Sequence, residues 1–199
     1  MDSSAWDARY ASTAGLLWNS EPNRYVAEEL ADLPPGRALD LAAGEGRNAV
    51  WLAARGWMVT AVDFSRVAIE RGQRLAAERG TTVEWIIADL RGYRPPVLTY
   101  DAVLVIYLHL PAKDQARVLA NAAAAVAPGG TLLVVGHDPA NLTDGVGGPQ
   151  DPALLHSPEW IASALSDLKI TRAETVRRPV TTDEGTQDAL DAVVVGVRL

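Results

Sequence analysis

The chain has 199 residues, of which 48% are hydrophobic, no cysteine, and a formal net charge of −7. Its size and apolar content suit one packed domain and exclude a disordered chain, and the lack of cysteine excludes disulfides, thiolate metal sites and cysteine nucleophiles. The acidic balance, with no dense run of Lys or Arg, argues against a nucleic-acid or anionic-membrane surface.

The opening MDSSAWDARY has no basic segment followed by an apolar one, and no apolar run reaches the ~18–20 residues of a membrane span. A cytoplasmic location is therefore expected. Trp6, Tyr10 and Trp18 stand in a polar N-terminal stretch that has no strand or long helix to bury them. Arg37–Leu41 reads as a first strand. Asn48–Arg55 follows as a helix, with Gly56 placed to end it. Met58–Val62 is a second strand. Ser65 suits the cap of a helix that runs to about Arg79 and is stopped by Gly80. Val83–Ala88 and Ala102–Ile106 are a third and a fourth strand; continuous apolar runs of this kind are covered on both faces. Pro111 fits the first turn of an alanine-rich helix ending near Ala127. Pro128-Gly129-Gly130 makes a turn before a fifth strand, Thr131–Val135.

Beyond that point, Pro139–Pro152 is rich in breakers and lacks an apolar period, as expected of a functional cover over a pocket. Ser157 and Pro158 open a short helix. Ile170–Val176 and Ala192–Val197 read as a hairpin-like pair at one sheet edge. Alternating strands and helices with short connections imply an α/β fold, a doubly wound parallel sheet with right-handed crossovers, in a single domain over 1–199.

Such sheets bind ligands at the carboxyl ends of their strands. There the chain carries Asp40, Gly44 and Gly46 after the first strand, Asp63 and Phe64 after the second, and Asp89 and Leu90 after the third. Glycines allow a tight turn and close approach of a ligand, and the helix beginning near Arg47 directs unpaired N–H groups at it. Asp63 lies nineteen residues after Gly44, about the spacing at which an acid bonds ribose hydroxyls. Phe64 offers a flat face for adenine, and Asp89 an acceptor for its amino group. GEGRNA also fits the dinucleotide fingerprint, so a nicotinamide-dependent oxidoreductase is one reading. Asp40 favours another: its charge repels a pyrophosphate and attracts an ammonium or sulfonium. S-adenosylmethionine combines adenosine, carboxylate, ammonium and sulfonium.

The motifs ALDLAAGEGRN, VTAVDFS, Asp89-Leu90, YDAVLVIYLHLP and VAPGGTLLVV, in that order, resemble those of class I S-adenosylmethionine-dependent methyltransferases. WDARYAS, LWNSEPNRYV and GEGRNAVWLA are most similar to the tellurite- and thiopurine-resistance-like branch. The resemblance implies a Rossmann-like, mostly parallel seven-stranded sheet with helices on both faces and an antiparallel last strand. It also implies a segment over 1–35 that covers the cofactor, and it carries cofactor contacts onto Asp40, Ala42, Gly44, Glu45, Gly46, Asn48, Asp63, Phe64, Ser65, Asp89, Leu90 and Ile106. Ala42 stands where the family usually has its first glycine, which is harmless if its φ stays negative.

In-line methyl transfer asks the protein mainly to align the nucleophile, the methyl carbon and sulfur. The acceptor is expected to be a small molecule. Tyr107 and His109 follow the fourth strand and are the nearest candidates for a base. Trp18, His137 and His156 are candidate substrate contacts, and the 139–156 loop is a candidate lid. The three histidines show no metal-ligand spacing, so no metal is expected. A cofactor-binding regulatory protein without catalysis is the third reading.

Overall fold

The computed structural model describes residues 2–183 and 185–199. Two short helices, α1 (Ser3–Ala11) and α2 (Arg24–Leu30), precede β1 (Arg37–Leu41), α3 (Arg47–Ala53), β2 (Met58–Asp63), α4 (Arg66–Glu78), β3 (Val83–Ile87), β4 (Tyr100–Ile106), α5 (Ala112–Ala125) and β5 (Val126–His137). The chain ends with α6 (Asn141–Asp144), a 3₁₀ turn (Pro152–Leu154), α7 (Pro158–Ser163), β6 (Lys169–Thr182) and β7 (Gly185–Val197). One seven-stranded sheet has the order β3-β2-β1-β4-β5-β7-β6. β1 to β5 are parallel, and β7 runs antiparallel to both neighbours. The strand order reverses between β1 and β4, which is where such a sheet opens a crevice.

Period-2 alternation divides the core into two layers. Ala38 of β1 with Ala102 and Leu104 of β4 packs under α2, α3 and α4, together with Tyr25, Leu52 and Leu75. Leu39, Leu41, Val103 and Val105 point the other way, onto Leu119 of α5 and Ile161 of α7. Each fully buried aliphatic side chain contributes about 1.5–3 kcal/mol over its exposed state, so a one-residue slip of register would empty both layers. The helix boundaries follow local chemistry. Ser65 accepts from the Ala68 N–H at 3.1 Å and caps α4, and Gly56 and Gly80 take positive φ just past helix ends.

Three local expectations are revised. The turn at Pro128-Gly129-Gly130 lies inside β5, because Val126 pairs with Tyr100 and Gly129 and Gly130 exchange backbone hydrogen bonds with Arg198. The C-terminal hairpin is about twice the length read from its apolar residues. β6 is a largely exposed edge strand rich in basic residues with Pro179 in it, a composition that protects an edge from further pairing. Pro111 is the cap of α5 rather than part of its first turn. Among the described residues no helix is long and apolar enough to cross a membrane.

Candidate active site

The carboxyl end of β1 is built around Asp40. Its side chain is fully buried and neither carboxylate oxygen has a hydrogen-bond partner. Burial, then the nearby charge of Asp63, pushes its pKa up to about 7; Arg47 and the Ala49 N–H oppose this from outside hydrogen-bonding geometry. A buried polar group without a partner is costly, and an arriving cation would relieve it.

Asp63 ends β2 and uses both oxygens on backbone. Oδ2 accepts from the Gly44 N–H at 2.8 Å and Oδ1 from the Ser65 N–H at 2.9 Å. Burial raises its pKa, and these two N–H groups resist the shift. The turn between Asp40 and α3 is left-handed at Ala42 (φ 61°), Gly44 (φ 56°) and Gly46 (φ 77°). Ala42 thus lies in the region that a Cβ disfavours, contrary to the negative φ expected of it, at a strain of about 1–2 kcal/mol. The family's usual glycine would suit this conformation better. A Cβ on Gly46 would collide with the Trp85 ring, so that glycine lets α3 close on the sheet. Trp85 and Trp51 are both packed against the core.

A cleft of about 290 Å³ opens between β2 and β3, lined by Phe64, Ile87, Ala88, Asp89 and the N-terminal Asp2 and Ser3. Phe64 is half-buried there. Asp89 is held by the Arg91 guanidinium, which keeps its carboxyl below the usual carboxylate range. A larger concavity of about 840 Å³ lies at the other edge, among Arg37, Trp57, Met58 and Arg79. It sits at the amino ends of the strands, the end where open parallel sheets do not bind ligands.

The N-terminal segment lies directly on this site. Asp7 of α1 accepts from the Ser65 hydroxyl at 2.5 Å and from the Val67 N–H. The Tyr10 hydroxyl stands 2.9 Å from where a Gly44 Cβ would be. Glu45 accepts from the N–H groups of Leu17 (2.8 Å) and Trp18 (3.2 Å) and pairs with Arg71 at 3.1 Å, while Arg71 also donates to the Thr13 and Gly15 carbonyls. Glu45 is therefore committed to clamping residues 13–18, not free for a ligand. Asn48 is committed too, since its Oδ1 accepts from the Asn23 N–H at 2.8 Å and fixes the start of α2. Leu90 and Ile106 are buried in the two core layers, and Trp18 is 44% exposed.

The second half of the site lies past β4 and β5. Asp191 of β7 is fully buried and gathers four side chains: Arg178 (Nε–Oδ2 2.6 Å), Tyr107 (hydroxyl–Oδ2 2.8 Å), Tyr25 (3.4 Å) and His137 (Nδ1–Oδ1 3.4 Å). Burial opposes the charge on Arg178, yet the carboxylate beside it holds its pKa above the ordinary arginine value. Burial and then Asp191 raise the Tyr107 pKa, and Tyr25 is pushed up to about 12. Tyr107 also has φ 55°, a left-handed outlier at a strand end. His109 Nε2 accepts from the His137 N–H at 3.1 Å, and burial beside His137 and His156 drives its pKa to about 3. His156 bonds the Leu110 carbonyl at 2.9 Å and stacks on Trp160.

The Pro139–Pro152 segment is anchored instead of free. Asn141 is buried, its Oδ1 accepting from the Leu190 N–H and its Nδ2 donating to Gly147, and Asp138 accepts from Thr175. Gly148 packs on the His137 ring closely enough that a Cβ there would collide with it. Arg47 joins the two halves, its half-buried guanidinium acting on Asp40, Tyr107 and Arg178; partial burial lowers its pKa. The sequence reading missed Arg47, Arg178 and Asp191. Only Asp191 left a signal, an acid set in the apolar run ALDAVVVGV. Among the described residues no three groups are arranged to hold a metal ion.

Comparison with known proteins agrees with this geometry. A family described as a methyltransferase domain matches residues 38–130. An uncharacterized methyltransferase of Mycobacterium tuberculosis is 30% identical over 152 residues, 75% of this chain and 72% of that protein. Among solved structures, TehB from Haemophilus influenzae superposes with a TM-score of 0.74 at 17% identity over 99% of this chain and 67% of that one. Magnesium protoporphyrin IX methyltransferase from Synechocystis, with bound S-adenosylhomocysteine, gives a TM-score of 0.68 at 20% identity over 88% and 80%.

Proposed function

The chain belongs to the S-adenosylmethionine-dependent methyltransferase family, and from that premise we propose that it methylates a small molecule held past β4 and β5. The observation that carries the reading is Asp40, a fully buried carboxylate with no partner at the point where the strand order reverses. It fits an ammonium group and repels a pyrophosphate, which favours the methyl donor over a nicotinamide dinucleotide.

The residues present fit this cofactor. Asp40 would take its ammonium. Asp63, whose oxygens keep lone pairs beyond those used on Gly44 and Ser65, would accept from the ribose. Phe64 and Asp89, in the cleft between β2 and β3, would hold the adenine face and amino group. When bound, the donor supplies an activated methyl group. Carboxylates placed at ammonium and ribose bind it without stabilising the sulfonium in the ground state, and so do not slow transfer.

Three features favour a small acceptor: the enclosure of the Tyr107–His137 region, the net charge of −7, and the segment from 139 to 152 packed over it. We place the chain in the tellurite- and thiopurine-resistance-like branch, a reading supported by the likeness to TehB and by the N-terminal segment lying on the site. Residues 1–35 and 139–156 then act as covers of one domain.

Calorimetry with S-adenosylhomocysteine and with NADH tests the reading. Binding of the former only, weakened by Asp40→Asn, is expected; NADH binding in its place overturns it. Labelled methyl transfer to an acceptor panel separates an enzyme from a binding protein.

A further inference from the structure

Four groups able to give or take a proton meet where β4 and β5 end beside β7: Tyr107, His109, His137 and Asp191. Three are already committed. The Tyr107 hydroxyl donates to Asp191, and Asp191 is held by Arg178. His109 Nε2 accepts from the His137 backbone N–H, which requires its other nitrogen to carry the proton. The ring of His137 is different. Its Nδ1 is buried without a hydrogen bond and faces Asp191 Oδ1 at 3.4 Å, and its Nε2, on the opposite edge, accepts from no described residue. The side chain is 11% exposed. Neither His109 nor Tyr107 can therefore serve as the base expected of them while these bonds stand.

We propose that His137 is the general base of the reaction, oriented by Asp191, and that the acceptor is an aromatic hydroxyl. The proposal rests on the methyl-transfer reading above. A carboxylate facing Nδ1 selects the tautomer with its proton on Nδ1 and a lone pair on Nε2. Burial keeps the imidazole neutral at neutral pH, against the pull of Asp191 and with the help of Arg178. The groups around it are Tyr107 and His109 after β4, Asp191 on β7, Arg178 on β6 and the Gly148 backbone. A base is useful only to an acceptor that is protonated at neutral pH, a hydroxyl or an amine and not a thiolate or an oxyanion, and the Arg178 guanidinium on Asp191 disfavours an ammonium. The rings of Tyr107, His109 and His137 lie within 35° of one another, with centroids 5.1–6.3 Å apart. His109 and His137 are stacked and Tyr107 is tilted against both, so the surroundings of His137 are aromatic and suit an aromatic acceptor.

The balance is simple. The acceptor O–H proton passes to His137 Nε2 as the oxygen bonds the methyl carbon. The carbon–sulfur bonding pair returns to sulfur, and the imidazolium then releases its proton to water.

The test uses the whole chain with labelled donor, 1-naphthol and catechol as weakly acidic phenols, and thiophenol as an acceptor ionised near neutral pH. His137→Gln is expected to lower kcat/KM for the phenols by about 10²–10³, to lower it far less for thiophenol, and to leave S-adenosylhomocysteine affinity intact by calorimetry. Imidazole added to His137→Ala should restore part of the phenol rate. Nitrogen NMR of the parent should show His137 with Nε2 unprotonated. Equal losses for phenols and thiophenol, no loss at all, a parent that methylates neither phenol, or a proton found on Nε2 would each overturn the proposal. A parent that methylates thiophenol alone would do so while leaving the methyltransferase reading intact. A parent that fails to bind S-adenosylhomocysteine would sink both.

Discussion

The Gly44 N–H donates to Asp63 Oδ2 at 2.8 Å, so the end of β2 holds the shape of the turn that follows β1. The same carboxylate receives the Ser65 N–H and so positions the cap of α4. One side chain thus fixes two loops that both border the proposed cofactor site. Asp63→Ala leaves two buried N–H donors without an acceptor. It is expected to lower stability by about 2–4 kcal/mol, read by urea unfolding. If Asp63 holds the ribose as proposed, its loss should weaken S-adenosylhomocysteine about 100-fold, since hydrogen bonds to a charged group are worth roughly 1.5–3 kcal/mol each. Parent-like binding in calorimetry would refute the assignment.

Ala42 has φ 61° in that turn, a conformation that strains any residue with a Cβ. Ala42→Gly removes the strain but gives the unfolded chain more freedom. The net gain expected is about 1 kcal/mol, a rise in Tm of roughly 2–4 °C for a domain near this size. Differential scanning calorimetry of the variant decides it, and a lower Tm would show that the alanine methyl contributes more by packing than it loses by strain.

Much of this architecture was legible because its signals are local. The continuous apolar runs AVLVI and TLLVV mark central strands, and Ser65, Gly56 and Gly80 mark helix ends by capping chemistry that depends on neighbours in sequence. Asp40 and Asp63 were found because topology places the residues after parallel strands at one edge. What escaped depends on partners far along the chain. Arg178 reads as one more charge on an edge strand until Asp191 is placed beside it, and Glu45 reads as a ligand contact until Arg71 and the Leu17 N–H reach it. The polar halves of β6 and β7 have no apolar period to betray them; they are strands because they pair with each other. The φ of Ala42 is set by the turn as a whole, which its own side chain does not reveal.

If the partnerless carboxylate of Asp40 takes the ammonium of the cofactor as proposed, cofactor binding depends on pH through this group. Its folded-state pKa, about 7, lies above the ordinary 3.8. In the free protein this group therefore favours the fold at acid pH, and that contribution is lost as pH rises from about 4 to about 7. A bound ammonium stabilises the ionised form, so binding releases a proton. S-adenosylhomocysteine affinity should fall by about tenfold per unit as pH drops below 7. Calorimetry in buffers of different ionisation enthalpy reads the proton directly, and Asp40→Asn should abolish its release.

Arg71 and Glu45, 12% and 3% exposed, hold residues 13–18 against the start of α3. Arg71→Ala cuts the bonds to the Thr13 and Gly15 carbonyls and leaves Glu45 with backbone donors alone. Hydrogen exchange should speed up in residues 12–20 and remain slow in β1, β4 and β5. If the segment covers the bound cofactor, S-adenosylhomocysteine should also dissociate faster while its association rate changes little, as stopped-flow fluorescence would report. Unchanged exchange in that segment would mean that Asp7 and Tyr10 alone secure it.

Asp191 is buried among Arg178, Tyr107, Tyr25 and His137, so its removal tests how the second half of the site is held. Asp191→Leu strands the Arg178 guanidinium, 25% exposed, and takes the acceptor from the buried Tyr25 hydroxyl and the half-buried Tyr107 hydroxyl. Breaking a buried pair from one side typically destabilises by about 3–5 kcal/mol, and the partial exposure of Arg178 places the expected loss at the lower end, about 3 kcal/mol. Combining it with Arg178→Met removes the stranded charge as well, so the double variant should recover at least half of that loss in urea unfolding. If the two losses simply add, the guanidinium has found water or another partner, and the carboxylate acts through the tyrosines and His137 rather than through its ion pair.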